Sequence, residues 1–343
     1  MRAVLHWLAA SRPGGRLRTG GAPYVSKYEK RPLDFSALKT IGLQERGGKV
    51  KTADFAYPYQ RGASISGWLD SLPRILAGDS FRAVVDAIAA ARAKGRVIIW
   101  GMGGHVIKCG LAPVLIDLMR RGYATVFAMN GSAAVHDFEI ALAGYTSEDV
   151  EAALPDGRFG AAEETGREMN SAISGGEAEG LGMGEALGRW LELIAPPKHA
   201  ASSLLMQAYG NGTPVTVHVA IGTDTPHTHP ALDAAALGSA SHRDFRLLAA
   251  HVADLNDGGV YLNVGSAVVL PEVFLKAVSS VRNLGHPLAD FTTANFDFLQ
   301  HYRPRVNVVQ RPHAGSGGAG YAITGHHELM IPLLAAALIE REA

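Results

Sequence analysis

The chain reads as an α/β protein: a Rossmann-like, mainly parallel sheet with helices on both faces. Three observations predict this. Apolar strands alternate with helical patterns along most of the length. Three of those strands run straight into glycine-containing turns and then helices, at Gly101-Met-Gly-Gly-His105, Asn130-Gly131-Ser132 and Val264-Gly265-Ser266. At 343 residues, with 47% hydrophobic and 40 glycines, the chain has enough apolar matter for a large core and enough glycine for many tight turns. A buried parallel strand ending in a glycine turn aims backbone N–H groups of the next helix at one spot, which favours phosphate or carboxylate. Three such turns predict a nucleotide-type cleft along one edge of the sheet.

The elements follow in order. Residues up to about Gly20 carry little pattern. The short apolar start followed by basic residues makes a poor signal peptide and reads as irregular. Residues 22–70 are polar with aromatic punctuation, so 1–70 reads as a partly irregular arm and 71–343 as the nucleotide-binding domain. Asp79 or Ser80 as N-cap opens a helix over 79–93. A strand at 96–100, a helix at 106–121, a strand at 124–129 and a helix at 133–143 come next. Residues 155–185 read as helices broken by glycine turns. A helix at 184–194, a helix at 200–209 and a strand at 215–221 lead to the polar loop Gly222-Thr-Asp-Thr-Pro-His-Thr-His-Pro230. A helix at 243–256, a strand at 259–263, a helix at 269–282, a strand at 305–310 and a helix at 329–340 complete the series. No fixed-period repeat is present.

Composition excludes several classes. Lys+Arg and Asp+Glu are equal at 32 each, so no basic surplus argues for nucleic acid or an acidic membrane surface. No apolar run approaches the roughly 20 residues that span a bilayer. The single cysteine, Cys109, excludes an intramolecular disulfide and a cysteine zinc cluster, and suits the cytoplasm.

The turns supply candidate ligand contacts: Gly103 and Gly104, then Asn130, Gly131 and Ser132, then Gly265 and Ser266. None fits a G-x-G-x-x-G or Walker frame. His136, Asp137 and Glu139 follow the second turn, and His136 shares a helical face with Glu139 three residues on. Asp224 stands at a strand's carboxyl end. His227 and His229 beside it form an H-x-H pair that, with Asp224, suits a divalent metal. An alternative assigns them to a plain polar loop. His326, before the C-terminal helix, is a candidate acid or base near neutral pH, and the glycine-rich stretch Ala314–Gly320 reads as a closing loop. Cys109 reads as a packed thiol, and Ser132 lacks the nucleophile-elbow frame.

The order of these segments resembles the deoxyhypusine synthase family from about residue 80 onward. Ser203-Leu-Leu-Met-Gln-Ala-Tyr-Gly-Asn-Gly-Thr-Pro-Val215 is similar to that family's helix and strand before its Thr-Asp-Gly loop, which Gly222-Thr-Asp224 resembles. His242-Arg-Asp-Phe-Arg-Leu-Leu-Ala-Ala-His-Val-Ala-Asp-Leu-Asn256 resembles its next helix, and Tyr261-Leu-Asn-Val-Gly-Ser-Ala-Val-Val269 its strand ending in glycines. Gly103–Gly110 falls at the family's Thr-Ser-Asn turn, and Asn130-Gly131 at its Thr-Ala-Gly-Gly turn. The resemblance implies bound NAD, a homotetramer with sites between subunits, and transfer of an aminobutyl group through a lysine imine. Here Ile323-Thr-Gly-His326 stands at the family's Trp-Gly-Lys, so the imine-forming lysine is missing, and histidine cannot form a Schiff base. Gly315-Ser-Gly-Gly-Ala319 and Val269-Leu-Pro-Glu272 also replace family motifs.

The expectation is therefore a deoxyhypusine synthase-like NAD-binding enzyme, a transferase or oxidoreductase. It acts on a small amine or polar metabolite without an imine, with His326, Glu139, Asp137 and His105 as acid–base groups. Expected partners are a small-molecule substrate and further copies of the chain, possibly four in all, with no nucleic acid or membrane. Two alternatives stand beside it: a metal-dependent hydrolase using the His227/His229 loop, and a non-catalytic nucleotide-binding protein.

Overall fold

The computed structural model describes residues 26–342; the expectation of an irregular start up to about Gly20 lies outside them. Contacts divide the chain into Met1–Lys49 and Val50–Ala343. In the first unit, residues 27–49 are exposed throughout and form one helical turn, Leu43–Arg46.

The second unit is built on six parallel strands: β1 Ile98–Met102, β2 Val126–Asn130, β3 Val215–His218, β4 Val260–Val264, β5 Thr292–Asp297 and β6 Ala319–Thr324. Their order in the sheet is β3-β2-β1-β4-β5-β6. The helices that matter below are α1 Ile65–Ser71, α2 Leu76–Ala93, α3 Gly104–Lys108, α4 Ala112–Arg120, α5 Gly131–Ala143, α6 Glu163–Ala178, α7 Met183–Ile194, α8 Leu204–Asn211, α9 Ala234–Ala253, α10 Val269–Asn283 and α11 His327–Ile339.

Side-chain alternation in the central strands creates two cores, as expected of a parallel sheet covered on both faces. Ile98, Trp100 and Met102 of β1 face a core shared with α2, α4, α5, α8 and α11. Ile99 faces a second core with Tyr261 and the apolar sides of α9 and α10. Trp100 is fully buried, and its indole N–H donates to the Tyr123 carbonyl at 2.9 Å, so its one polar atom is satisfied. The segment before the sheet is pinned by Arg82, whose guanidinium donates to the carbonyls of Leu69, Leu72, Pro73 and Gly78. The arm read over 22–70 therefore ends in a helix, α1, whose Leu69 belongs to the first core.

Several boundaries differ from the sequence reading. The helix expected at 106–121 is two, α3 and α4, broken where Gly110 takes φ +74°. The α2 helix opens at Leu76 after Ile75, ahead of Asp79 and Ser80. Within 155–185, α6 passes unbroken through Ser174-Gly-Gly-Glu177. Residues 305–310 are a π-helical turn, not a strand. Their apolar alternation is real, but Val308 is buried in the second core and its carbonyl accepts from Thr293 Oγ1 at 2.7 Å, which ties the turn across β5. The last two strands are β5 and β6. The β5 sequence Thr-Thr-Ala-Asn-Phe-Asp is too polar to read as a buried strand, and in edge strand β6 only Ile323 is buried. Ala319-Gly320, read as part of a closing loop, begins β6.

Candidate functional site

The strand order reverses between β1 and β4, and a sheet of this order opens a crevice there, outside the carboxyl ends of its strands. Two of the glycine turns meet at that point. Gly103 N–H donates to the Val264 carbonyl at 3.0 Å, and Gly265 N–H to the Phe296 carbonyl at 3.0 Å. A Cβ on Gly103 would run into the Gly265 carbonyl, so the two turns can lie this close only without one. Gly265 itself takes φ +68°, a conformation that side chains disfavour. Ser266 is buried, and its hydroxyl accepts from Leu270 N–H at 3.1 Å in the first turn of α10. Asn130 likewise spends its side-chain oxygen on Ala133 N–H at 2.9 Å, at the start of α5.

On the β2–β3 side lies a cavity of about 250 Å³ whose lining includes Lys108, Ser132, His136, Glu139, Thr223 and Asp224. The Asp224 carboxylate stands against Gly131, where a Cβ would collide with it. That places negative charge at the N-terminus of α5, the favourable end of the helix dipole. Burial pushes the Asp224 pKa up, against a smaller downward pull from His227. Behind it, Glu139 accepts from the Thr146 hydroxyl, and also from Thr165 Oγ1 at 3.2 Å. Because Thr146 gives its proton to Glu139, its oxygen is left to accept from His136 Nδ1–H, 2.7 Å away. His136 is thus held as the Nδ1–H tautomer with the Nε2 lone pair free. Burial, and secondarily Lys108, lower its pKa to about 4, so it is neutral at pH 7. Glu139 also lines a larger adjoining cavity of about 760 Å³, with Glu148, Glu164 and Glu168 on its wall.

On the β4–β6 side, exposed His105 stands with its ring 5.9 Å from Phe298 and 5.4 Å from His327. His326 stacks on Phe298, with ring centroids 6.1 Å apart and its side chain 66% exposed. His327 is the buried member. Its Nε2 donates to the Phe296 carbonyl at 3.1 Å, its Nδ1 has no partner, and burial lowers its pKa.

Of the acid–base candidates, Asp137 is misplaced by the sequence reading. It is fully buried and points to the N-terminus of α8, accepting from Ser203 Oγ at 2.7 Å, Leu204 N–H at 2.7 Å and Leu205 N–H at 2.9 Å. Burial raises its pKa to about 6 even though all three bonds favour the carboxylate. It is an anchor between helices. Among the described residues, the His227/His229 loop does not gather a metal set either. His229 Nε2 faces Glu163 at 3.2 Å, and its Nδ1 accepts from Ala231 N–H. His227 Nδ1 accepts from Gly222 N–H at 3.1 Å. The structure brings Ser132, Glu139 and Asp224 to one cavity, and His105 and His326 to the opposite side of the crevice. The sequence reading left out Lys108 and Thr165, and did not assign His136 to the site although it shares the Glu139 face.

No family model and no curated protein matches the chain. Solved structures that resemble it do so at low identity. A conserved protein from Methanococcus maripaludis S2, provisionally assigned as LOR/SDH, is 14% identical over 78% of this chain and 70% of its own, with a TM-score of 0.49. A provisionally assigned deoxyhypusine synthase from Entamoeba histolytica is 11% identical, covering 83% of this chain and 96% of its own, with a TM-score of 0.47. The ternary complex of AgrE with ornithine and NAD+ is 16% identical over 78% of this chain, with a TM-score of 0.47. This match spans only 34% of the AgrE chain. What the topology shows in its own right is an all-parallel, doubly wound α/β sheet with the 3-2-1-4-5-6 strand order of dinucleotide-binding folds.

Proposed function

We propose that the chain is an NAD-binding enzyme that acts on a small amine or polar metabolite without a lysine imine. One observation carries the reading: the Gly103 and Gly265 turns lie side by side at the switch point of a 3-2-1-4-5-6 sheet, where dinucleotides bind in folds of this order. The sequence resemblance to deoxyhypusine synthases supports the choice of NAD.

The residues fit such a cofactor. The Gly103-Gly104 backbone at the start of α3 is the place for the pyrophosphate. The end of β2 carries Asn130, already committed to its cap, in place of the usual ribose-binding acid. The Asp224 carboxylate, next to Gly131 and lining the neighbouring cavity, supplies an acceptor for ribose hydroxyls instead. When bound, NAD supplies a hydride acceptor. The protein's part is to bind, orient and move protons. His326, exposed at the mouth of the crevice, is the acid–base candidate there. Glu139, held by two threonine hydroxyls, offers a fixed negative charge to a cationic substrate. The further carboxylates Glu148, Glu164 and Glu168 on the adjoining wall favour an amine over an acid.

The test is mass spectrometry of small molecules released on denaturing fresh protein, combined with an NAD titration followed by thermal unfolding. Binding to the folded state raises stability by mass action. Released NAD, or a saturable upward shift that is lost in Asp224→Ala, supports the reading. No nucleotide and no shift sinks it. Binding without turnover of any amine or polar acid in a screen returns the protein to the non-catalytic class.

A further inference from the structure

We propose that His105, Cys109 and Glu328 form a zinc site at the mouth of the crevice, apart from the His227/His229 loop. Among the described residues, these three bring one potential ligand atom each to within 4.8 Å of one another. His105 and Cys109 lie four residues apart on α3 and its C-terminal cap, so they share one face of a helical turn. Glu328 comes from the first turn of α11, 219 residues beyond Cys109. The Cys109 thiol already donates to Glu328 Oε2 at 3.7 Å, and His326 Nδ1 stands 3.8 Å from the other oxygen. The carboxylate therefore lies between a sulfur and an imidazole supplied by different elements.

The donor chemistry chooses the ion. Thiolate and imidazole select zinc over calcium or magnesium, which take oxygen ligands. Zinc binds S, N and O donors at about 2.0–2.3 Å, so tetrahedral ligands stand about 3.3–3.8 Å apart. The three donors need to close by about 1 Å, and they are free to do so. His105 and Glu328 are exposed, Cys109 is half-buried, and the motion needed is side-chain rotation. A thiolate and a carboxylate together balance the charge of the ion. Three protein ligands leave a fourth position open to solvent, the pattern of a zinc ion that polarises a bound oxygen or nitrogen. In this arrangement His105 is a ligand and not a proton carrier, while His326 flanks the open position.

The experiment uses tag-free full-length protein, stripped with a chelator and titrated with cobalt(II) as a spectroscopic stand-in, then with zinc against a chromophoric chelator. No nucleotide is present, so failure of the NAD reading leaves the outcome untouched. The expected result is one equivalent of cobalt with a thiolate-to-cobalt charge-transfer absorption, displaced by one equivalent of zinc. Cys109→Ser should abolish that absorption. Cys109→Ser and Glu328→Gln should each weaken zinc binding at least tenfold, while His229→Ala leaves it unchanged. If Cys109→Ser fails to fold, Glu328→Gln at its exposed position decides. The proposal is overturned if wild-type protein shows no thiolate band at one equivalent, or if the folded variants lose less than tenfold in zinc affinity.

Discussion

Two buried aspartates hold this fold together. Asp137 satisfies the first N–H groups of α8, and Asp244 Oδ2 accepts from Gly184 N–H at 2.9 Å and Val217 N–H at 2.7 Å, joining α9 to α7 and β3. Removing an acceptor that serves three buried donors leaves them unsatisfied, so Asp137→Ala should cost about 3 kcal/mol in urea unfolding at pH 7. These anchors also set a pH dependence. Burial raises Asp137 to about 6 and Asp244 to about 7 from an ordinary 3.8. The folded state then binds more protons than the unfolded chain across that window. Their contribution is full below 3.8 and is lost as pH rises through the folded values. Half-buried His136 and buried His218, lowered to about 4 and about 3, work the opposite way: stability falls as pH drops below 6.5. The opposing slopes overlap, so the whole-protein profile conceals both. The difference between wild type and Asp244→Asn isolates one of them. Wild type should lose stability relative to the variant as pH rises from 3.8 to about 7, read from urea midpoints at a series of pH values. A flat difference would show that Asp244 is not raised.

At the scale of elements, the short helix α3 is the piece on which the crevice depends. Its entry is fixed by Gly103 against Gly265, and its next residue, Gly104, abuts Ser132 and His136 on α5. The β1, β2 and β4 turns are thereby locked into one edge. Gly103→Ala should push the β1 and β4 turns apart, costing about 2 kcal/mol by overpacking and removing the thermal shift that the proposed NAD binding predicts. A variant with wild-type melting and an unchanged shift would show that the contact is not needed. This close approach was not legible in the sequence, where Gly103 read as one member of a glycine turn and its partner lay 162 positions away. The β5 and β6 strands were hidden for a related reason. Asn295 is buried because Asn263 Nδ2 donates to it at 2.7 Å and it donates to Gln300 at 2.8 Å. Polarity that argues against a strand in isolation is satisfied by neighbours that pattern alone does not show.

For the whole molecule, both cores and all six strands lie in Val50–Ala343. Residues 27–49 bury no side chain. A chain beginning at Val50 should therefore unfold at the same urea midpoint and with the same slope as one beginning at Lys27, since the slope follows the surface exposed on unfolding. A marked loss in either would show that residues 27–49 contribute to the folded state.

The sequence by itself determined the parallel α/β class, the three strand–turn–helix junctions and the shared face of His136 and Glu139. Each is a local consequence of residue period and turn chemistry. The helix period also places Asp137 and Glu139 about 200° apart, so both could not face one cleft. Only packing decided that Glu139 looks into the cavity while Asp137 anchors α8. Tertiary structure alone placed β4 beside β1, seated Asp224 at the head of α5, and brought Glu328 to Cys109. These are meetings between segments far apart in the chain. They are set by the side on which each crossover returns to the sheet, which no local pattern encodes.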